Sequence, residues 1–274
     1  MRRRFHFFLI LVGSAVALAA ADAPAGTMRL NLRSRVEAFK GSGTWQEVHF
    51  QKDFPIAKTA IVICDMWDRH WCSGASRRVD ALAVRMAPVI DAARAAGIQI
   101  IHAPSETMEF YKDAPQRQSM IALARLDPPL ALNLTDPPLP IDDSDGGCDT
   151  PDKFFKAWTR EIARISIGPT DVISDSGAEI YSLLRSRGIE NLLVMGVHTN
   201  MCILNRTFAI RQMTRWGVRC VLVRDLTDAM YNPADRPFVS HRQGTELVIE
   251  HIEKYWAPTV ESRELTRALE ARSR

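Results

Sequence analysis

The sequence predicts an α/β domain built on a mostly parallel, doubly wound sheet with helices on both faces. Short apolar runs alternate with segments of helical spacing over most of the chain. Such alternation implies right-handed crossovers between parallel strands, with the helices covering both faces of the sheet. The length of 274 residues suits one domain of this kind with additions.

The predicted elements follow one another in chain order. Residues 27–54 alternate apolar and polar side chains around the sequence KGSGT, which predicts a β-hairpin extension spanning residues 22–58. Buried strands are predicted at TAIVIC, IQIIHA, DVIS, NLLVMG and VRCVLVRD, with a short final run at APTV. Helices are predicted at residues 77–97, 178–188, 199–217 and 244–255. The main domain thus covers residues 59–262, and residues 263–274 are assigned to a C-terminal tail.

The N-terminus has the pattern of a secretory signal peptide. Three arginines at positions 2–4 precede the apolar run FHFFLILVGSAVALAA, and small residues that suit a cleavage site follow. The alternative is an uncleaved anchor, although the run is short for a membrane span. We expect a signal peptide over residues 1–21 and a secreted or periplasmic mature protein without membrane attachment.

The net charge indicates which classes of partner to expect, and the cysteine content indicates which disulfides can form. A formal net charge of +3 is too small to indicate a nucleic-acid-binding surface, so we expect a small-molecule substrate and no nucleic-acid partner. Five cysteines in an oxidising compartment leave at least one unpaired within the chain. Cys72 and Cys148 lie in polar contexts and could form a disulfide, whereas Cys64 and Cys220 lie in apolar runs.

An irregular insertion interrupts the alternation between the second and third predicted strands of the main domain. Residues 127–170 are rich in Pro, Asp and Gly and are too long for an ordinary connection in such a sheet. We call residues 127–170 the cap segment and expect it to form a functional loop or a cap over the site.

Ionisable residues stand where the predicted parallel strands end. Asp65, His102, Asp175, Cys202 and Asp225 each end or closely follow a strand. Ligands of such sheets bind at the carboxyl ends of the strands. These positions therefore outline a polar cleft, with Asp225 interpreted as an anchor for the following loop.

Cys202 is the candidate nucleophile of this cleft. It lies in the first turn of the predicted helix, where unpaired N–H groups favour a thiolate, and Thr199 or Asn200 would be the N-cap. Asp65 on a neighbouring strand end could take the thiol proton. The alternative interpretation is a cysteine that only fills the core.

Two segments resemble the isochorismatase-like cysteine hydrolases, a family that includes nicotinamidases and N-carbamoyl amidohydrolases. TAIVICDMWDRHW is similar to the first strand with its catalytic aspartate, and NLLVMGVHTNMCILNRTFAIRQMTRWG is similar to the nucleophile segment. The resemblance implies a three-layer α/β/α sandwich, Asp65 as base and Cys202 as nucleophile. It also implies a cis peptide between Val197 and His198, with backbone amides of His198 and Cys202 as the oxyanion hole, and possible homo-oligomers.

The sequence departs from this family at one catalytic position. The family places a lysine just after the third strand, where this chain has Ser174, Asp175 and Ser176. Asp175 in that place would disfavour a thiolate, because like charges raise the pKa of an acid. Three explanations stay open: a cation from Lys112, Lys153 or Lys156, a bound metal, or a site without the family reaction.

No cofactor is required by these residues, and a divalent metal is not favoured. His70, His102 and Glu106 lack the Asp-x-His spacing of the family's metal-binding members. Trp67, His70, His102 and Asn200 are the candidate substrate contacts, although Trp67 and Trp71 could instead cover the hairpin. His241 is interpreted as a helix-start residue.

The function predicted from these residues is hydrolysis of a small amide, carbamoyl or related C–N bond. Two alternatives come from other classes. One is a binding protein on a hydrolase scaffold, since the family lysine is absent and a fold does not fix a function. The other is vinyl-ether hydrolysis, which would use Asp65 and no cysteine nucleophile.

Overall fold

A computed structural model describes residues 26–271, so the predicted signal peptide at residues 1–21 lies outside the described part of the chain. Eight strands form one sheet in the order β2-β1-β8-β7-β6-β3-β4-β5. The strands are β1 Thr27–Glu37, β2 Trp45–Pro55, β3 Thr59–Cys64, β4 Gln99–Ala103, β5 Val172–Ile173, β6 Asn191–Val197, β7 Arg219–Asp228 and β8 Thr259–Val260. Strands β3 to β8 pair in parallel, whereas β1 is antiparallel to β2 and β8.

Helices pack on both faces of this sheet and confirm the predicted layers. They are α1 Ser73–Ala95, α2 Pro115–Ile121, α3 Gly177–Ser186, α4 Cys202–Asn205, α5 Ile210–Arg215, α6 His241–Tyr255 and α7 Ser262–Glu270. Strand β3 shows why two hydrophobic layers form. Its Val62 packs with α3, α5 and α6, while its neighbour Ile63 packs with α1 and α7, since successive strand side chains point to opposite faces.

The predicted hairpin is confirmed, and it extends the main sheet. Met28, Leu30 and Leu32 of β1 are fully buried in the same core as α1 and α7. Arg33 pairs with Thr259 of β8 in the sheet, and its guanidinium donates to the buried carboxylate of Glu253 at 2.6 Å. The hairpin is therefore one edge of the domain.

Three helical predictions need correction. The predicted helix over 199–217 is two short helices, α4 and α5, separated by residues 206–209, of which Arg206 is extended. The residues assigned to a tail form most of α7, which buries Leu265 and Leu269 against α1. Helix α2 was not predicted, because its seven residues bury one apolar side chain, Met120, and show no helical repeat.

The cap segment has no helix or strand beyond one isolated bridge between Glu161 and Trp67. A disulfide between Cys148 and Cys72 ties this segment to the residue before α1, which confirms the candidate pair. Cys64, Cys202 and Cys220 are free thiols. Across residues 26–271, every helix is too short or too polar to span a bilayer.

Candidate active site

Asp65 lies at the carboxyl end of β3 with its side chain fully buried. Its φ of 48° is in the left-handed region, which Asp tolerates better than most residues. Oδ1 accepts a hydrogen bond from the Ser105 backbone N–H at 2.7 Å, and Oδ2 accepts one from Arg206 Nε at 2.9 Å. The Cys202 thiol is close enough to this carboxylate to influence its pKa. One buried carboxylate therefore accepts from a backbone N–H and a guanidinium and lies near a thiol.

Cys202 reaches Asp65 because β6 and β3 approach each other closely at their ends. Gly196 has a φ of 118°, and a Cβ at this position would lie 2.0 Å from the carbonyl oxygen of Cys64. Only glycine permits this approach. The chain leaving β6 then turns beside Asp65 and begins α4 at Cys202.

Arg206 supplies the cation of the site. It ends α4 four residues after Cys202, so one helical turn brings both side chains to the same carboxylate. Its guanidinium carbon lies 6.0 Å from the centre of the Trp67 ring, and Nη2 lies 3.4 Å from a carboxylate oxygen of Glu106. Sequence reasoning missed Arg206, although a basic residue four positions after the candidate nucleophile was a visible signal.

The three lysines considered from the sequence are engaged or exposed elsewhere. Lys112 pairs with Glu109 at 2.6 Å, and Lys156 donates to the Glu106 backbone carbonyl at 3.3 Å. Lys153 is exposed in the cap segment. The cation that contacts Asp65 thus comes from the nucleophile helix and not from a loop lysine.

Asp175 occupies the place of the family lysine but contacts a different group. Its Oδ2 accepts a hydrogen bond from the Glu106 backbone N–H at 3.0 Å. Ser174 donates to the carboxylate of Glu179 at 2.5 Å, and Ser176 is the N-cap of α3. These residues therefore hold the loop after β4 and the start of α3.

The thiol of Cys202 is protonated at rest, contrary to the expectation from the sequence. Burial raises its pKa most, and the adjacent Asp65 carboxylate raises it further, while Arg206 and the backbone N–H of His198 oppose the shift. Helix α4 has four residues, too few for the dipole effect that was expected. Burial also raises the pKa of Asp65, and Arg206 opposes this.

The peptide between Val197 and His198 is cis, as the family resemblance implied. The backbone of His198 lowers the pKa of the Cys202 thiol, against the effect of burial. The imidazole of His198 is buried, and within the described chain its Nε2 has no hydrogen-bond partner. Burial lowers the pKa of His198 to about 3, so the ring is neutral.

Three stacked rings lie near Cys202, and two of them belong to the cluster against which it packs. Trp67 and Trp158 stack with ring centres 4.4 Å apart, and His70 lies 5.8 Å from Trp158 at an angle of 14°. Cys202 packs against this cluster. Trp158 comes from the cap segment and was missed by sequence reasoning, because an isolated aromatic residue in an irregular segment has no periodicity to reveal its position.

The alternative in which Trp67 and Trp71 cover the hairpin is wrong. The hairpin lies at one edge of the sheet, whereas Trp67 follows β3, with β8, β7 and β6 in between. Trp71 contacts Phe154 of the cap segment, with ring centres 5.7 Å apart. His70 also belongs to this aromatic group; burial lowers its pKa to about 4 and leaves it neutral.

His102 is fully buried, and both of its ring nitrogens are engaged. Nδ1 lies 2.7 Å from Glu161 and Nε2 lies 3.0 Å from Asp171, which also pairs with Arg94. Burial by itself would lower the pKa of His102, but the two carboxylates raise it to about 9. The ring has no free polar atom for a substrate, so His102 stabilises the junction between β4 and the cap segment.

Asn200 is likewise engaged within the protein. Its amide nitrogen donates to Asp143 at 2.7 Å and to the Met230 carbonyl at 3.0 Å. Its amide oxygen accepts from the Met230 backbone N–H at 2.8 Å. Neither Asn200 nor Thr199 is the N-cap of α4; that position is Met201. Asn200 therefore holds the cap segment against the loop after β7.

The two residues interpreted as structural have structural contacts. Asp225 accepts hydrogen bonds from the backbone N–H and the hydroxyl of Ser262 at 2.7 and 2.6 Å, which fixes the start of α7. His241 is the first residue of α6. Both residues are thus structural, but Asp225 lies within β7 and anchors the start of α7 instead of the loop that follows the strand.

The residues of this chain do not fit the metal site of the family's metal-binding members. Within residues 26–271, the one group of three possible ligands is Cys72, Cys148 and Asp152, and its two sulfurs form the disulfide. The carboxylates beside His102, those of Glu161 and Asp171, are 59 and 69 residues away in sequence. They contact the two opposite nitrogens of its ring, so neither nitrogen is left to bind a metal. No step is assigned to a metal here.

Solved structures share this architecture. A cysteine hydrolase from Pseudomonas syringae pv. phaseolicola superposes with a TM-score of 0.52 at 18% identity, over 80% of this chain and 95% of that one. The chain therefore shares the α/β fold of that cysteine hydrolase. An isochorismatase from Pseudomonas putida gives a TM-score of 0.46 at 15% identity, over 76% and 90% of the two chains. The pyrazinamidase of Pyrococcus horikoshii, in complex with zinc, gives 0.43 at 14% identity, over 74% and 99%. No protein-family model matches the sequence.

Proposed function

We propose that this protein is a cysteine hydrolase that cleaves a small amide, carbamoyl or related C–N bond. The observation that carries the proposal is the convergence of Cys202 and Arg206 on the buried carboxylate of Asp65, with Arg206 Nε 2.9 Å from Oδ2. A nucleophile, a base and a cation are the three groups that such a reaction needs. Arg206 would supply the positive charge that a lysine at a different position supplies in the family.

The reaction begins with a proton transfer inside this group. Asp65 accepts the thiol proton as the Cys202 sulfur forms a bond to the carbonyl carbon of the substrate. Negative charge moves to the carbonyl oxygen, where the backbone N–H groups of His198 and Cys202 would stabilise it. Arg206 stays beside Asp65 and compensates the charge of the buried pair.

Collapse of this intermediate breaks the C–N bond. The proton on Asp65 passes to the leaving nitrogen, which departs as a neutral amine or ammonia and leaves a thioester on Cys202. Asp65 then removes a proton from a water molecule that attacks the thioester carbon. The acid product leaves, and the proton returns from Asp65 to the sulfur.

The aromatic cluster favours a flat substrate. Trp67, His70 and Trp158 stack almost in parallel next to Cys202, and stacking on aromatic faces suits a planar amide or a ring. The unpaired Nε2 of His198 and Nε1 of Trp158 are buried polar atoms to which such a substrate could hydrogen-bond.

The test is a hydrolysis screen of the mature chain against small amides, ureas and carbamoyl compounds. Cys202→Ala and Asp65→Asn should each abolish turnover, because they remove the nucleophile and the base. Cys220→Ala is the matched control, since it removes a different buried thiol and should leave turnover unchanged. Full activity of Cys202→Ala would refute the mechanism.

One observation favours vinyl-ether hydrolysis as the second candidate. Burial raises the pKa of Asp65, and protonation of a vinyl ether needs a carboxylic acid. Cys202→Ser separates the two reactions, because it should keep vinyl-ether hydrolysis and lose most amide hydrolysis.

A further inference from the structure

A cavity lies on the opposite side of β7 from the strand that leads to Cys202. Its volume is about 560 Å³, and it opens beside the carboxyl half of β7, beyond Val223, where the short strand β8 no longer pairs with β7. Helices α1 and α6 form its walls. Asp65, Cys202 and Trp67 are not among its lining residues, so it is separate from the candidate active site.

Arginine dominates the charged side chains of this cavity. Five line it: Arg33, Arg78, Arg85, Arg224 and Arg242. Four acidic residues also line it, and each is already engaged. Asp225 binds Ser262, Asp228 binds Arg78 and His241, Glu246 binds Arg33, and Glu261 binds Arg224.

Some arginine donors stay free after this pairing. Within the described chain, Arg85 and Arg242 have neither an ion pair nor a side-chain hydrogen bond, and both are exposed. They lie on opposite walls, in α1 and α6. Arg78 donates through Nε to Asp228 and through Nη1 to Asp149, while its Nη2 is buried without a partner. A buried donor without a partner costs free energy, which a ligand oxygen would recover.

We propose that this cavity binds a small anion through a phosphate or carboxylate group held by Arg85, Arg242 and the free Nη2 of Arg78. The planar guanidinium presents paired N–H donors that match the oxygens of these groups. The volume lies within the range of roughly 300–1,000 Å³ that is usual for small-molecule sites. This site is independent of the proposed hydrolysis at Cys202.

Calorimetric titration of the mature chain with two probes tests the proposal. Inorganic phosphate and succinate are titrated separately, and the tighter of the two identifies the anionic group. We expect one saturable site with a Kd below about 1 mM for at least one probe. A Kd above about 1 mM for both probes would overturn the proposal.

Charge-removing variants locate the binding. Arg85→Gln and Arg242→Gln should each weaken binding by about 5-fold, and the double variant by about 20-fold or more, because each removes one charged donor pair. Arg77→Gln is the matched control, an exposed arginine of α1 that does not line the cavity. Arg85 and Arg242 are exposed, so we expect each variant to fold, and an unchanged melting temperature should verify this. Binding that survives in the double variant, or that weakens equally in Arg77→Gln, would contradict the assignment.

Discussion

Arg206 donates from Nε to Oδ2 of Asp65 at 2.9 Å, across 141 positions of sequence. Asp65 is fully buried, whereas the Arg206 side chain is about a third exposed, at 30%. The Arg206 guanidinium thus contacts a fully buried carboxylate while part of the Arg206 side chain remains exposed to solvent. A charged donor of this kind lowers the cost of ionising a buried carboxylate.

Replacement of Arg206 should therefore change the pKa values of both Asp65 and Cys202. Arg206 opposes the upward pKa shifts of Cys202 and Asp65, so Arg206→Gln should raise both pKa values further. We expect kcat for a cleaved amide to fall by about 100-fold, within the usual range for a general acid–base contribution. Arg206→Lys should restore part of the rate, because it keeps the charge but loses the planar fork. An equal loss in the two variants would contradict the electrostatic role.

Removal of the Asp65 charge should speed alkylation of Cys202 while it stops hydrolysis. Asp65 raises the pKa of the Cys202 thiol, so Asp65→Asn should lower it and increase the thiolate fraction near pH 8. Iodoacetamide labelling followed by mass spectrometry measures the rate at Cys202, with buried Cys64 and Cys220 as internal references. Slower labelling in Asp65→Asn would show that Asp65 does not repel the thiolate.

The stability contributed by His102 should depend on pH. Its folded pKa of about 9 lies above the ordinary value of 6.5, so protonation favours the folded state. The contribution is complete below about pH 6.5 and is lost as pH rises through about 9, at about 1.4 kcal/mol for each unit of the raised pKa. Urea unfolding at pH 6, 8 and 9.5 measures the free energy of unfolding. His102→Asn should flatten this dependence; an unchanged slope would place the titrating group elsewhere.

Reduction of the Cys72–Cys148 disulfide should destabilise the protein by about 2–4 kcal/mol, because the link restricts the unfolded chain over a separation of 76 residues. The melting temperature with and without dithiothreitol measures the effect. The Cys72→Ser/Cys148→Ser variant is the control and should not respond to the reductant. If the variant responded as the wild-type protein does, another group would be the target of the reductant.

The sheet was predictable because its central strands have apolar sequences that can be recognised locally. Strand β3 is buried on both faces, so all six of its residues are apolar or are threonine, and β6 has a similar pattern. Helix α7 was missed for the opposite reason. Its segment is short and mostly polar, and the one helical signal, two leucines four positions apart at Leu265 and Leu269, was overlooked.

The site was predictable only in part. Asp65 and Cys202 follow strands, and strand ends mark sites in such sheets, so local sequence was enough to select them. The raised pKa of Cys202 was not predictable, because it depends on burial, and part of the cluster that packs against Cys202 comes from an irregular segment. The function of His102 in the core was hidden for a similar reason, since both of its carboxylate partners are far away in sequence.

The stack of Trp67 on Trp158 has an optical consequence. Two indole rings 4.4 Å apart and nearly parallel couple their electronic transitions, so they should produce a paired band in the circular dichroism spectrum. One indole belongs to the loop after β3 and the other to the cap segment, so the band exists only while the cap segment lies over Cys202. The protein thus contains a spectroscopic signal of its own that reports whether the nucleophile is covered, without any added dye.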